Sequence, residues 1–303
     1  MKQFDKNNLE LSFASTKLVL VTIFWGIGFP CMKLVSEELT TFSQIGCRFL
    51  VATIVLMIMF YKKIHLLNMS ALKNGALLSI FLFLTYVLAT KGIELTTSSR
   101  ASFFCCLAVI IIPIYNVIFF KAKLVAKNII SIIICVLGIF MLSYSKGIAL
   151  NLNSGDILCL MCSCCSAGHI VLTEKIAKNN DPAVVTLIQM AFISVFAFVL
   201  SFFSTDEVIP TIVSLKTILS LLFIGIFGTG VAFYWQTLCQ KSVSSIRVGI
   251  IFSLEPVNGA LASWIFIGDA LGIQHMIGGT LIFISLIVSE IKCGENRHVK
   301  RKC

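Results

Sequence analysis

Ten apolar runs of roughly 20 residues follow one another along this chain, and they constrain its fold more than any other feature. Helices of that length match the hydrocarbon core of a bilayer. The connections between the runs are short and polar. The sequence therefore predicts an all-α membrane protein with ten transmembrane helices, at about 16–36, 42–61, 74–92, 99–120, 128–145, 155–174, 183–203, 217–238, 246–267 and 273–291.

Composition excludes a soluble fold and argues against a nucleic-acid partner. Hydrophobic residues make up 58% of the 303 and charged residues only 13%, about half the charged share of a soluble domain. The net charge of +10 comes from basic residues in short loops rather than on an amphipathic face. The twelve cysteines lie mostly inside apolar runs, which is typical of small hydrophobes rather than a disulfide framework.

The basic residues predict an orientation. With both termini in the cytoplasm, 18 of the 24 lysines and arginines fall on the cytoplasmic side, and four on the other, Lys91, Arg100, Lys146 and Lys216. That bias follows the positive-inside rule. The first apolar run is of spanning length and has no cleavage site after it, so no cleavable signal peptide is expected.

An internal repeat divides the chain. Arg48 aligns with Gln189 at an offset of 141, and Thr97–Arg100 with Ser244–Arg247 at an offset of 147. Five spans per copy is an odd number, so the second copy must enter the membrane from the opposite side, as in alternating-access transporters. The predicted organisation is a cytoplasmic segment 1–14, a first repeat 15–147, a second repeat 152–291 and a basic cytoplasmic tail 292–303.

The stretch Ser244–Asp269 carries Glu255 and Pro256 side by side near its middle. An ionisable residue inside a span is costly and indicates a functional site, and proline weakens the helix there. One interpretation is a bent helix whose carboxylate binds a cation or exchanges a proton during transport. The other is a packing kink in which the carboxylate is held by neighbouring hydroxyls or amides.

Several stretches together resemble the drug/metabolite transporter superfamily, in particular its EamA-type members with two tandem five-helix domains. They are WGIGFPCMK from Trp25, Arg48, Thr97–Pro113, Gly155–Asp156, SLEPVNGALASWIFIGD from Ser253, and Gly279–Val288. The resemblance implies a secondary transporter with a central cavity lined by spans 1, 3, 4, 6, 8 and 9. It does not indicate a substrate, and Pro30 and the cysteine-rich span 6 depart from the pattern.

Residues of the implied cavity spans are candidates for contact with a substrate. Aromatic rings suit organic molecules through stacking or cation–π contact, and amides orient ligands by hydrogen bonds. The candidates are Trp25, Tyr86, His169, Tyr234, Trp235, Gln236, Glu255 and Asn258. Tyrosine and tryptophan also populate membrane interfaces, so each aromatic has that alternative role. Asn116 and Gln189 are polar groups at similar depth.

Three prolines are predicted to bend helices during gating, Pro30, Pro113 and Pro256. At the repeat offset, Pro113 aligns with Ala260 rather than Pro256, so these bends are expected at different depths. Arg48 lies inside span 2 and needs a buried partner, which favours a structural anchor. Gly225, Gly228 and Gly230 are expected to permit close helix packing, since neither a preceding strand nor a following Lys-Ser/Thr indicates a phosphate loop.

No metal and no cofactor is predicted. Cys162, Cys165 and His169 fall near one helical face, but one helix rarely completes a tetrahedral site.

The predicted function is secondary active transport of a small organic metabolite, an amino acid or related compound or an amphiphilic drug, across the cytoplasmic membrane, with export favoured by the resemblance. The predicted partners are this substrate and the lipid bilayer; the protein is a monomer or homodimer and binds no nucleic acid. The alternative is a membrane-embedded enzyme acting on a lipid-linked substrate. It needs clustered carboxylates or His–Asp pairs at the membrane face, where the acidic pair Asp206–Glu207 has no basic or histidine partner close in sequence.

Overall fold

A computed structural model describes residues 2–143, 152–204, 213–268 and 271–290, and within these ranges the regular structure is entirely helical. The helices are α1 Lys2–Ser36, α2 Thr41–Phe60, α3 Met69–Leu95, α4 Ser98–Cys106, α5 Ala108–Phe120, α6 Ala126–Ser143, α7 Ser154–Asn179, α8 Pro182–Phe203, α9 Leu215–Gly225, α10 Ala232–Cys239, α11 Ser245–Phe252, α12 Glu255–Ile267 and α13 Ile273–Glu290. A 3₁₀ helix, Tyr61–Leu66, follows α2, and a π-helical segment, Ile226–Val231, joins α9 to α10. The pair Asp206–Glu207 and the basic tail lie outside the described residues.

The helices form a multi-pass membrane protein. Nine helical stretches of the described chain are long and apolar enough to cross a bilayer, and the apolar stretch Ile273–Ser289 is shorter than that standard. Large apolar side chains cover the outside of the bundle, including Phe202 at 85% and Ile58 at 69% exposure. A contiguous apolar exterior of this kind is stable in lipid rather than in water.

The first helix begins earlier than the sequence indicates. α1 starts at Lys2 and includes the polar residues that were assigned to a segment before the first span. Ala14 in this part of α1 is buried, and Leu11 packs against the same core cluster.

The packing of the helices follows the internal repeat. If α1 to α6 are matched in order with α7, α8, α9–α10, α11, α12 and α13, the largest contacts between the two halves have counterparts. α6 packs on its counterpart α13, and α2 packs on its counterpart α8. The contact of α3 with α7 is matched by that of α9 with α1, and the contact of α5 with α7 by that of α12 with α1. The main contacts between the two halves therefore come in matched pairs.

The α6–α13 crossing requires glycine on both helices. A Cβ at Gly278 would lie 2.6 Å from the Gly138 carbonyl oxygen, and one at Gly138 would lie 2.8 Å from the Gly278 carbonyl oxygen. Such backbone-to-backbone contact is typical of membrane helices that pack through small residues.

We expect Gly278→Ala to lower the free energy of unfolding by about 1–3 kcal/mol, because overpacking at a backbone contact cannot be relieved by a rotamer change. Gly28→Ala is the matched control, since the nearest atom to its Cβ lies 3.7 Å away. Thermal unfolding in detergent measures both. Equal stability of the two variants would contradict the tight crossing.

The fourth and ninth spans are interrupted at equivalent positions. Leu107 separates α4 from α5 with φ −63° and ψ −7°, and Ser253 ends α11 with φ −65° and ψ −7°. Leu107 corresponds to Leu254 at the repeat offset of 147. Pro256 is in the first turn of α12, where a missing N–H costs nothing. Pro113 lies within α5, six residues after the interruption, and Pro30 lies within the continuous α1.

Candidate functional site

A cavity of about 1140 Å³ lies among the helices. Spans 1, 3, 4, 6, 8 and 9 contribute to its wall, as the family resemblance implies, and α2 adds residues from Thr41 to Arg48. The sequence did not indicate a role for α2 in the cavity.

One end of the bundle, called here the mouth end, holds the polar rim of the cavity. Lys33 at the end of α1, Thr41 at the start of α2, and Lys91 and Glu94 at the end of α3 line it. Lys91 Nζ lies 3.2 Å from the Glu94 carboxylate, and Thr41 Oγ1 donates to Glu94 at 3.4 Å. The rim acid is therefore already paired.

Aromatic rings form the deep wall of the cavity. Trp25 packs edge-on to Phe252 with centroids 4.7 Å apart and lies 5.8 Å from Phe233. The Phe233 ring also lies 6.5 Å from Tyr86 and 5.8 Å from the His169 imidazole. All five residues line the cavity. We call this set the aromatic floor.

Arg48 joins α2 to the π-helical segment. Its Nε donates to Thr229 Oγ1, its Nη2 to the Gly228 carbonyl at 3.1 Å, and its Nη1 to the Met32 sulfur at 3.5 Å. The guanidinium also lies over the Tyr86 ring, 5.0 Å from the centroid. A π-helical turn exposes carbonyl groups that a regular helix would use internally, so Arg48 acts as an anchor.

The same carbonyl receives a second donor. Trp25 Nε1 donates to Gly228 O at 2.8 Å, and Thr229 Oγ1 donates to Ile224 O at 2.8 Å. Spans 1, 2 and 8 therefore meet at one point beneath the cavity. None of these bonds follows from sequence spacing; the glycines at 225, 228 and 230 are the only local signal of an irregular helix.

Glu255 begins α12 and lines the cavity together with Pro256. Its carboxylate has no hydrogen bond or ion pair to any residue that the structure describes; the nearby charge is Arg48. The interruption at Ser253 and Leu254 brings the side chain to the cavity wall. This geometry disfavours the interpretation in which neighbouring hydroxyls or amides hold the carboxylate.

A chain of buried amides lies on the other side of the floor. His169 Nε2 and Gln189 Oε1 are 2.9 Å apart. Gln236 Nε2 donates to Gln240 Oε1 at 3.2 Å, and Gln240 Nε2 donates to the Ile170 carbonyl at 2.8 Å. Gln236 Oε1 is buried without a partner in the described chain, and Gln236 lines the cavity.

The opposite end of the bundle, called here the closed end, is held by hydrogen bonds within the second repeat and by one between the repeats. Glu174 near the end of α7 accepts from the Ser245 amide at 2.8 Å and from Lys178 Nζ at 2.9 Å. Asn116 Nδ2 on α5 donates to Ser245 Oγ at 2.9 Å. These contacts tie α5, α7 and α11 together below the floor.

A further ion pair lies at the closed end, between Lys63 after α2 and Asp181 before α8, with a separation of 2.8 Å. Burial opposes ionisation of the Asp181 carboxyl, but Lys63 and the amides of Ala183 and Val184 outweigh that effect and lower its pKa.

At the mouth end, Asp156 fixes the starts of α4 and α7. It accepts from Arg100 Nε at 3.0 Å and from Thr96 Oγ1 at 2.8 Å, and it forms an ion pair with Arg100 Nη2. Asp156 also completes a capping box with Asn153. Asp156 therefore ties the start of α4 to the start of α7 at this end.

The candidates selected from the sequence separate into two groups. Those that line the cavity are Trp25, Tyr86, His169, Gln236, Glu255 and Pro256. Tyr234, Trp235, Asn258, Pro30 and Pro113 are not among its described lining residues. Tyr234 packs 4.6 Å from Phe60, Trp235 packs 6.0 Å from Phe24, and Asn258 donates to Thr22 at 2.9 Å.

Sequence reasoning did not select Phe233 and Phe252, which complete the aromatic floor. In the sequence, Phe233 stands next to Tyr234, and Phe252 precedes the Glu255–Pro256 pair by three residues. Within the described residues, no group of three or more His, Cys, Asp and Glu side chains has the geometry of a metal site; Cys162 lines the cavity, while Cys165 is half-buried.

A bundle of apolar helices in two matched halves, with a polar and aromatic cavity between them, defines a membrane transport fold. The EamA-like transporter family matches residues 13–144 and 153–290. The chain therefore belongs to the EamA-like transporter family, within the drug/metabolite transporter superfamily.

Relatives and a solved structure agree with that assignment. A protein of Archaeoglobus fulgidus named as an uncharacterized transporter is 25% identical over 291 residues, covering 96% of this chain and 90% of its own. Bacillus subtilis YetK, also named as an uncharacterized transporter, is 24% identical over 276 residues, covering 86% and 81%. A crystal structure with 15% identity has a TM-score of 0.78 over 92% of this chain and 96% of that chain, which shows the shared fold.

Proposed function

We propose that this protein is a secondary active transporter that moves a small organic metabolite across the cytoplasmic membrane by alternating access. The transporter class follows from the family. The substrate, the mechanism and the favoured export direction are the proposal. Ten spans, with Ile273–Ser289 as the tenth, form two inverted five-helix repeats with both termini in the cytoplasm.

The observation that carries the proposal is the difference between the two ends of one cavity. The mouth end has a polar rim from three helices, whereas the closed end is held by Glu174, Ser245 and Asn116. The lysines at 62, 63, 175 and 178 lie toward the closed end, which the positive-inside rule assigns to the cytoplasm. Under this proposal the mouth end faces the outside, and the state described is outward-open.

The repeat suggests how the opposite state forms. α7 packs on α11 at the closed end, but no comparable packing joins α1 and α4, their counterparts at the mouth end. Exchanging the two arrangements between repeats would close the mouth and open the cytoplasmic side, by rigid-body rocking. The interruptions at Leu107 and Ser253 supply equivalent bending points, and the predicted roles of Pro30, Pro113 and Pro256 in gating stay predictions.

The drive comes from a gradient of the substrate or a coupled ion, since the sequence carries no nucleotide-binding motif. We expect substrate counterflow in proteoliposomes: vesicles preloaded with an unlabelled compound accumulate its labelled form without ATP. The screen covers amino acids, amines, nucleosides and quaternary ammonium compounds. Empty liposomes are the control, and absence of counterflow across the whole panel would refute the transporter proposal.

The rival is the membrane-embedded enzyme. The same proteoliposomes, supplied with lipid-linked substrates, test it directly. Turnover of such a lipid together with no counterflow would establish the enzyme and reject the transporter.

A further inference from the structure

We propose that the substrate is an organic ammonium or amidinium ion that carries at least one N–H donor and an apolar, preferably aromatic, body. This inference rests on the proposed transport function and names the chemical class that the cavity recognises. Among amino acids, related metabolites and amphiphilic drugs, this inference selects the compounds that carry a positive charge.

The first argument is the charge left unpaired in the depth of the cavity. Lys33, Lys91 and Glu94 line the rim, and only Arg48 and Glu255 provide charges below it in the described lining. The Nε and both terminal nitrogens of Arg48 already donate to protein groups, and Tyr86 covers its face. These partners are neutral, so Arg48 keeps its positive charge, but they hold it as an anchor, and it forms no ion pair with Glu255 in the described chain.

Glu255 differs from Arg48 in this respect. Its carboxylate is without a hydrogen bond or an ion pair among the described residues, and it faces the cavity. A carboxylate in a partly desolvated site is stabilised by a direct counter-charge, whereas Arg48 acts on Glu255 without an ion pair or a hydrogen bond. A substrate cation supplies that charge, whereas an anionic substrate would leave Glu255 unpaired and add repulsion.

The second argument is an unpartnered acceptor. Gln236 is 1% exposed, and its amide nitrogen already donates to Gln240. Its Oε1 atom has no donor in the described chain. A buried carbonyl without a donor costs about 1–3 kcal/mol, and a substrate N–H satisfies it. A quaternary ammonium ion cannot.

The third argument is the aromatic floor, which lines the same cavity as these two acceptors. Rings of Trp25, Phe233 and Phe252 line the cavity, and Trp25 and Phe252 meet edge to face. Aromatic faces attract cations and stack on planar bodies. The cavity of about 1140 Å³ accommodates a body of one or two rings with residual water.

The experiment compares four probes of one shape in counterflow with the unmodified protein. They are phenethylamine, its N,N,N-trimethyl derivative, phenylalanine and phenylacetate, which differ in net charge and N–H donors. We expect phenethylamine to be transported or to compete best, the trimethyl derivative at least tenfold less well, and the zwitterion and the anion least. This arm requires no substitution.

A variant arm locates the recognition. Glu255→Gln keeps the shape and removes the charge, so we expect phenethylamine binding to weaken about tenfold or more, with tenfold equal to 1.4 kcal/mol. Glu37→Gln is the matched control, because Glu37 is an exposed carboxylate near the mouth outside the described lining. Thermal unfolding and size-exclusion profiles report whether each variant is folded.

Preference for phenylalanine or phenylacetate over phenethylamine would overturn the inference. So would unchanged amine binding by Glu255→Gln, or equal transport of the trimethyl derivative. If other metabolites are moved and amines are not, the cation assignment fails while the transporter stands. If no compound of the wide panel is moved, the transporter proposal itself fails.

Discussion

Replacing Arg48 with methionine is expected to reduce transport by at least about tenfold and to destabilise the protein by about 1–3 kcal/mol. The guanidinium holds α2 on the π-helical segment through Thr229 and Gly228. Methionine has a similar length but no donor, so these buried acceptors lose their charged partner. The floor residue Trp25, which shares the Gly228 carbonyl, then loses a fixed position.

Arg48→Lys is the informative control for this substitution. Lysine keeps the positive charge but lacks the planar fork that donates in three directions. We expect it to recover stability in part and transport very little. Substrate counterflow and thermal unfolding in detergent measure the two effects separately. A methionine variant with both properties unchanged would show that the anchor is dispensable.

Replacing Glu174 with alanine is expected to open the closed end. The substitution removes the acceptor for the buried Ser245 amide at the start of α11, so α7 and α11 lose their direct tie. A loss of about 1.4 kcal/mol shifts a two-state equilibrium tenfold. We expect a membrane-impermeant maleimide to label the cavity-lining Cys105 and Cys162 faster from the closed end.

The control at this end is Lys178→Ala. It removes a helical ion pair with Glu174 in which Lys178 is 48% exposed, and such pairs contribute about 0.3–0.5 kcal/mol. Labelling in oriented vesicles is expected to change little. Equal labelling rates for the two variants and the unmodified protein would show that Glu174 does not hold the closed end shut.

Two features that the sequence suggested have a different basis in the structure. The sequence predicts bends of spans 4 and 9 at Pro113 and Pro256, at unequal depths. The interruptions fall at Leu107 and at Ser253–Leu254, positions that correspond at the repeat offset. The interruption of span 9 lies in the turn before Pro256, where proline removes a helical hydrogen bond, whereas that of span 4 lies six residues before Pro113.

The sequence also assigned Tyr234, Trp235 and Gln236 together to the cavity. Successive helical residues point about 100° apart, so neighbours at one depth cannot all face one cavity. Phe233 and Gln236, three residues apart, share the cavity face, whereas Tyr234 and Trp235 pack on Phe60 and Phe24. The π-helical segment just before them also changes which residues face the cavity, because its extra residue per turn rotates the helix that follows.

By itself, the sequence determined that this protein is a helical membrane protein of two repeats and that Glu255 lies inside a span. Apolar length is a local property that is set by the hydrophobic thickness of the bilayer. The tertiary structure decided which neighbours Arg48, Gln236 and Glu255 have, because residues some 180 positions apart along the chain, such as Arg48 and Thr229, meet only when the helices pack. Glu255 is therefore identified as an ionisable group from sequence, and as an unpaired carboxylate in the described cavity only from the fold.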